Sequence, residues 1–145
     1  MSDNALLQVK DFSVAFRQAG RETLAVDRIS FHIDKGETVA VVGESGSGKS
    51  VTGLSVLRLL PASAHHPSGE MVFQGRDLLK LSEQEMRGVR GNDITMVFQE
   101  PMTSLNPLHP IGRQIAEVLE VHRGMRGEAA NRRVVELLAE VGIPD

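Results

Sequence analysis

The sequence contains no cysteine, tryptophan or tyrosine, and its aromatic side chains are five phenylalanines. Without cysteine, the chain forms neither a disulfide nor a thiolate metal site. Few aromatic rings leave little surface for base stacking, and a net charge of −3 supplies no dense basic block to neutralise phosphates. No run approaches the roughly 18 apolar residues of a membrane helix. These absences argue against a nucleic-acid-binding protein and against a membrane-spanning one.

The first third of the chain has the pattern of β-structure. Residues 6–16 and 24–33 alternate apolar and polar side chains, and the polar, glycine-containing stretch 18–22 between them predicts a β-hairpin. After a turn at 34–36, the apolar run Thr38-Val39-Ala40-Val41-Val42 is typical of a strand buried on both faces. Apolar spacing then predicts a helix that Pro61 ends, so strand, glycine-rich loop and helix are expected over residues 38–60.

The rest of the chain becomes increasingly helical. A loop over 61–69, a short strand over 70–73, a capping box at 82–85 and a strand-like run over 94–98 are predicted. Two amphipathic helices follow, one around 111–119 and one over 134–141, which Gly142 and Pro144 end. The pair His65-His66 is expected in a solvated loop rather than at a metal, and Arg132 and Arg133 on a solvated helix face.

The glycine-rich loop matches the phosphate-binding pattern G-x-x-x-x-G-K-[ST]. Its glycines let successive N–H groups point at phosphate oxygens, and the following helix adds the positive end of its dipole. The lysine brings a charge to the β- and γ-phosphates, and the last hydroxyl is a hard ligand for Mg²⁺. A merely flexible loop is the alternative; the flanking strand and helix favour mononucleotide binding. The matching residues are Gly43, Glu44, Ser45, Gly46, Ser47, Gly48, Lys49 and Ser50.

The carboxylate that usually ends a second apolar strand in such proteins is not evident. Gln99 occupies that position after the 94–98 run, and Glu100 follows it. An amide can ligate Mg²⁺ through its carbonyl oxygen or place a water, but it is no general base. Glu100 is either a catalytic carboxylate or, the favoured interpretation, a loop charge beside Gln99.

The stretch 97–107, Val-Phe-Gln-Glu-Pro-Met-Thr-Ser-Leu-Asn-Pro, resembles the Q-loop of ATP-binding cassette (ABC) transporter ATPases of the peptide, nickel and glutathione importer branch. Local likeness at 57–61, 87–92 and 122–126 points to the double-cassette ATPases of microcin C and oligopeptide importers. The resemblance covers almost the whole chain. It implies an α/β P-loop NTPase fold with an antiparallel β region (1–36), a P-loop core reaching the Q-loop (37–100) and the beginning of a helical subdomain (101–145).

The resemblance also implies roles for individual residues. The loop from Gly43 to Ser50, with Val51, would bind ATP; Lys49 and Gln99 would act in catalysis; and Ser50 and Gln99 would hold Mg²⁺. Phe16 falls where the family stacks an aromatic ring on adenine, and the alternative is a simple core residue. The implied partners are permease subunits contacted through the Q-loop and helical region, a second cassette (dimeric or fused) and, indirectly, a periplasmic or extracellular substrate-binding protein. The implied location is peripheral, on the cytoplasmic face of the inner (plasma) membrane.

Other motifs of the family are not found in this sequence: the L-S-G-G-Q signature, a strand-ending Asp followed by a catalytic Glu, and a switch histidine. We therefore expect a truncated cassette that binds ATP but is inactive alone, marginally folded, and exposes apolar surface. The alternatives are a non-catalytic nucleotide-binding fragment and, less favoured, a stand-alone P-loop kinase, for which no lid or acceptor site is evident.

Overall fold

A computed structural model gives the fold and describes residues 4–100 and 103–144. The chain forms two compact units, Met1–Met86 and Arg87–Asp145. The first unit contains the sheet and the helix that follows the glycine-rich loop, and the second is built mainly from helices. The division into 1–36, 37–100 and 101–145 stays a prediction.

The first unit is organised around a five-stranded antiparallel sheet. Its strands are β1 (Ala5–Gln18), β2 (Arg21–Asp34), β3 (Ala64–His65), β4 (Glu70–Phe73) and β5 (Arg76–Asp77). The order is β2-β1-β4-β5, and β3 pairs with β1 beyond the end of β4. The predicted hairpin is confirmed. Ala19 and Gly20 connect its strands with positive φ values of 50° and 76°, as the two-residue turn that matches strand twist requires.

The core of this unit lies along β1, which has β2 on one side and β3 and β4 on the other. Four consecutive residues of β1, from Phe12 to Ala15, are buried. The strand therefore departs from simple alternation, because both of its faces are covered there. Met71 on β4 and Leu78, in a short 3₁₀ turn over Leu78–Lys80, are also fully buried.

The helix after the glycine-rich loop, α1 (Lys49–Val56), is shorter than predicted. It ends before Pro61 because Arg58 adopts a left-handed conformation with φ 53°. Backbone N–H groups of Arg58 and Leu59 then donate to the carbonyl oxygens of Ser55 and Leu54 at 3.0 and 2.9 Å, which is a Schellman ending. The guanidinium of Arg58 also donates to the carbonyl oxygen of Leu81 and so ties this turn to the following segment.

The predicted capping box is confirmed at the start of α2 (Glu83–Val89). The N–H of Glu85 donates to Ser82 Oγ at 3.1 Å, and the N–H of Ser82 donates to Glu85 Oε1 at 3.0 Å. The hydrogen bonds from Ser82 lower the pKa of Glu85 below its ordinary value.

Two helices, α3 (Ile111–Arg123) and α4 (Gly127–Glu140), pack on each other in the second unit and confirm the predicted pair. Gly124 and Gly142 end them in left-handed conformations, for which glycine carries no side-chain penalty. On α4, Arg132 is exposed. Arg133 donates to Glu136 and Glu140, and these hydrogen bonds raise its pKa. No helix within the described ranges is long and apolar enough to cross a membrane.

Two strand predictions are wrong. The run 38–42 is not a buried strand: it has no regular secondary structure, and 87% of Val42 is exposed. The run 94–98 forms a single bridge at Ile94, and 97% of Val97 is exposed. A buried strand needs a hydrogen-bonded neighbour on each side. Among the described residues neither run has such neighbours, so neither forms a regular strand despite its apolar pattern.

The histidine pair is not in a solvated loop, contrary to the prediction. His66 is half-buried and its ring lies 5.1 Å from the ring of Phe12. Its Nδ1 is 3.3 Å from the carbonyl oxygen of Ser13, and because a carbonyl only accepts, this nitrogen carries the proton. No local pattern around the histidine pair indicates this packing, because the partners are about fifty residues away in the chain.

Burial is the main cause that lowers the pKa of His66 from its ordinary value of 6.5; nearby His65 and Arg58 lower it further, whereas Ser13 and Asp77 oppose the shift. Below pH 6.5 the unfolded chain therefore binds more protons than the folded one, so stability is lost as the pH falls. We expect wild type to lose more stability than His66→Asn between pH 7.5 and 5.5. Asparagine keeps a donor for Ser13 but does not titrate. Urea unfolding at both pH values measures this, and equal losses would contradict it.

Candidate nucleotide-binding site

Residues 43–48 form a compact loop between the extended run 38–42 and α1. The N–H of Ser47 donates to the carbonyl oxygen of Glu44 at 3.1 Å and closes a tight turn. Gly46 and Gly48 have φ values of 82° and 96°, which strongly favour glycine. The loop conformation thus depends on the glycine pattern from which phosphate binding was predicted.

The loop has no room for further side chains at its two ends. A Cβ on Gly43 would lie 2.6 Å from Ser47 Oγ, and one on Gly48 would lie 3.1 Å from Val26 Cγ2 and 3.2 Å from the carbonyl oxygen of Ala25. Val26 and Ala25, on β2, therefore support the loop from behind. The motif does not identify these two residues, since they precede it by about twenty positions.

The N-terminus of α1 suits an anion. None of the described side chains caps this helix, and its first turn contains no acidic residue. The first N–H groups of a helix have no partner within it, and the dipole places positive charge there. Ser50 is exposed in this first turn, where its hydroxyl is accessible to a cation, and Val51 beside it is half-buried. The chemistry fits a nucleotide phosphate with Mg²⁺.

Lys49 is held by its own loop. Its ammonium donates to the carbonyl oxygen of Gly43 and, at 3.1 Å, to that of Glu44. To contact phosphate oxygens, the ammonium must exchange these two carbonyl oxygens for more strongly accepting anionic ones. The flexible four-carbon stem of lysine allows this exchange without movement of the backbone.

Phe16 lies on β1 near the hairpin turn. Val14 pairs with Val26, which lies against the loop, and Phe16 is two residues further along β1, opposite Thr23. The pairing of β1 with β2 is irregular between Val14 and Ala15, so simple alternation from Val14 does not assign the face of Phe16. Phe16 is half-buried, so part of its surface is accessible.

Gln99 and Glu100 belong to the second unit, and both are exposed without regular secondary structure. Pro101 and Met102 of the predicted Q-loop lie outside the described residues. The loop and Phe16 both belong to the first unit. The roles of Gln99 in catalysis and in Mg²⁺ binding stay predictions.

A cavity of about 420 Å³ lies behind the loop in the first unit. Its walls are mostly apolar and come from β2 and from residues 39–43, with Lys49 and Thr52 at one end. Thr52 Oγ1 donates to the carbonyl oxygen of Gly48 at 2.8 Å, so its hydroxyl is engaged within α1. The apolar lining suits side-chain packing rather than phosphate binding.

Comparison with protein-family models matches the family described as ABC transporter over residues 26–145. The chain belongs to the ABC transporter family. The resemblance found in the loop and in the 97–107 stretch is thereby confirmed. The glycine-rich loop of this ABC transporter chain lies within the matched residues 26–145.

Curated relatives are named for transport of peptidoglycan, oligopeptides or dipeptides. Peptidoglycan transport ATP-binding protein YejF of Agrobacterium fabrum is 60% identical over 95% of this chain and 26% of its own length. Oligopeptide transport ATP-binding protein OppD of Bacillus subtilis is 53% identical over 96% of this chain and 39% of its own length. Dipeptide transport ATP-binding protein DppD of Lactococcus lactis is 47% identical over the whole chain and 42% of its own length. The ABC transporter chain thus spans less than half of each of these relatives.

Solved structures of the ATP-binding cassette MJ0796 have the same fold. A dimeric form has a TM-score of 0.76 at 26% identity, and a dimeric post-hydrolysis form bound to ADP and Pi has 0.73 at 25%. Both alignments cover 92% of this chain and 56% of the cassette. They confirm the α/β P-loop NTPase fold class predicted for this ABC transporter chain.

Proposed function

We propose that this chain is the ATP-binding part of an ABC importer for peptides or related small substrates, and that it binds Mg-ATP to energise transport. The observation that carries the proposal is the loop at 43–48, whose two left-handed glycines lead into an uncapped helix N-terminus. Such a loop followed by a helix is suited to a phosphate chain. The names of the oligopeptide and dipeptide relatives support the peptide substrate class, and that of the peptidoglycan relative supports a related substrate.

Each residue of the site has a proposed role. The loop from Gly43 to Ser50, with Val51, binds the phosphates, and Lys49 neutralises the β- and γ-phosphates. Ser50 offers its hydroxyl to Mg²⁺, which when bound offsets phosphate charge. Phe16 stacks on adenine. For Gln99 the proposed roles are Mg²⁺ coordination and catalysis, as the family resemblance implies.

The proposed partners follow from the family. Permease subunits bind through the region around Gln99 and the helices α3 and α4, and a second cassette, separate or fused, faces this one. A substrate-binding protein, periplasmic or extracellular, acts indirectly. The proposed location is peripheral, at the cytoplasmic face of the inner (plasma) membrane. The dimeric form of the related cassette MJ0796 supports the pairing of two cassettes.

We expect binding of Mg-ATP by this chain without steady turnover, because the sequence offers no plain general base for the attacking water. A stand-alone P-loop kinase, the second candidate class, would transfer phosphate to a small acceptor. Steady release of phosphate from Mg-ATP by the isolated chain would contradict the non-catalytic expectation, and transfer to an added acceptor would favour a kinase.

Replacing Ser50 with alanine should separate cation binding from nucleotide binding. The hydroxyl is exposed in the first turn of α1 and is a hard oxygen ligand for Mg²⁺. We expect Ser50→Ala to lose about 10-fold in affinity for ATP when Mg²⁺ is present and less than 2-fold when EDTA replaces it, because losing this ligand should cost about as much as losing a hydrogen bond to a charged group, about 1.5 kcal/mol.

Equilibrium dialysis of labelled ATP under both conditions measures this difference. The EDTA condition serves as the internal control for damage to the loop itself. An equal loss with and without Mg²⁺ would show that Ser50 does not act through the cation. A wild-type chain that binds no ATP under either condition would refute the proposed function.

A further inference from the structure

The short strand β3 closes the open side of Phe16. Its two residues pair with β1, Ala64 with Phe16 and His65 with Ala15. Phe16 is therefore flanked by Thr23 of β2 on one side and by Ala64 on the other. A strand of two residues has little pairing energy of its own. Its side-chain contacts therefore add to the few backbone hydrogen bonds that hold this segment on β1, such as the one from the N–H of Arg17 to the carbonyl oxygen of Ser63 at 2.9 Å.

His65 supplies such a contact by reaching across β1. Its Nε2 lies 2.8 Å from Oε1 of Glu22 on β2. Because a carboxylate only accepts, Nε2 carries the proton. His65 is opposite Ala15 and Glu22 is opposite Arg17, so the contact crosses β1 at the position between them, which is Phe16.

The contact and the Phe16 ring lie on opposite faces of the sheet. Ala15 and Arg17 share one face because they are two positions apart, and Phe16, between them, projects to the other. The contact can thus fix the backbone of Phe16 without touching its ring. The side chains of His65 and Glu22 are 31% and 50% exposed, so the pair adds little to the free energy of unfolding. Its effect is to fix the position of the β1 backbone rather than to stabilise the fold.

We propose that His65 is a positioning residue for base recognition, which it performs through Glu22 by holding the backbone at Phe16 in place for stacking on adenine. This inference rests on the proposed function, in which Phe16 stacks on the base and the loop binds the phosphates. Neither His65 nor Glu22 touches the nucleotide. Loss of their contact should therefore weaken recognition of the base and leave recognition of the phosphates intact.

The test compares ATP with inorganic tripolyphosphate, which carries the phosphate chain without a base. Dissociation constants of the full chain for both ligands, with Mg²⁺, are measured by calorimetry. We expect His65→Ala and Glu22→Ala each to weaken ATP about 5-fold, a partial loss of base stacking, and to change tripolyphosphate less than 2-fold. His65→Gln, which keeps a donor of similar reach, should restore ATP affinity.

A matched control is available on the same hairpin. His32 Nε2 lies 3.8 Å from Asp34 Oδ1, so His32→Ala also removes a histidine–carboxylate pair, but near the far end of β2 from Phe16. We expect it to leave both affinities unchanged. An equal effect of His32→Ala on ATP would overturn the inference.

The remaining outcomes distinguish failure of the positioning role from failure of the proposed function. Equal weakening of both ligands by His65→Ala, or no change in either, would overturn the positioning role and leave the phosphate site standing. A wild-type chain that binds tripolyphosphate as tightly as ATP would also overturn it. The base would then add nothing to the affinity, and His65 would have no stacking contact to support. A chain that binds neither ligand would refute the proposed function as well.

Discussion

Replacing Lys49 with alanine is expected to lower the affinity for Mg-ATP about 100-fold. The ammonium of Lys49 contacts two carbonyl oxygens of its own loop, those of Gly43 and Glu44, and under the proposed function it exchanges them for phosphate oxygens. Hydrogen bonds to charged groups contribute about 1.5–3 kcal/mol each. Losing about 3 kcal/mol in total corresponds to about two orders of magnitude in the dissociation constant. Isothermal titration of wild type and Lys49→Ala with Mg-ATP measures the difference.

Lys35→Ala is the matched control, because Lys35 is an exposed lysine of the same unit that lies in the turn after β2. We expect its affinity to stay within 2-fold of wild type. Far-ultraviolet circular dichroism of both variants checks that the fold is intact. Retention of wild-type affinity in Lys49→Ala, or an equal loss in Lys35→Ala, would argue against a phosphate site at this loop.

Replacing Gly69 with alanine is expected to destabilise the first unit by about 4 kcal/mol, toward the upper end of single-residue effects. Gly69 has φ 98°, and a Cβ there would lie 2.4 Å from Phe12 Cα and 2.5 Å from the carbonyl oxygen of Asp11. Both atoms belong to the backbone of β1, the central strand, which cannot give way cheaply. Left-handed strain of about 1–2 kcal/mol adds to this overlap. Urea unfolding followed by circular dichroism measures the loss.

Gly75→Ala separates the two contributions. Gly75 also has a positive φ, 79°, but a Cβ there meets no described atom within 4 Å. Its alanine variant should therefore show the backbone strain alone, about 1 kcal/mol. If both variants lose the same stability, the close approach of residue 69 to β1 is not what makes glycine necessary there.

Local patterns were sufficient to predict much of this fold. The hairpin, the capping box at Ser82 and Glu85, and the helix pair of the second unit each depend on residues close together in the chain. Turn glycines, cap hydroxyls and helical spacing carry that information directly. The glycine-rich loop at 43–48 was also predictable from local pattern, because its conformation depends on its own glycines.

What the sequence could not predict depends on partners that are distant in the chain. The runs 38–42 and 94–98 have the composition of buried strands, but composition does not show whether neighbouring strands are present to pair with them. The contact between His65 and Glu22 joins residues 43 positions apart, and neither residue has a distinctive local pattern. The early end of α1 at Val56 depended on Arg58, a residue type that rarely adopts a positive φ.

The topology of β1 also bears on the order in which the site is assembled. β1 and β2 are joined by two residues, whereas the pairing of Leu7 with Phe73 closes nearly half of the chain into a loop. Pairing of residues that are close in the chain is fast. Closure of a long loop is slow, because chain entropy is lost before the compensating contacts form. The glycine-rich loop lies inside the segment that this closure encloses. Its support from β2 is therefore expected early in folding, whereas Phe16 gains its second flank, β3, only when the chain returns to β1.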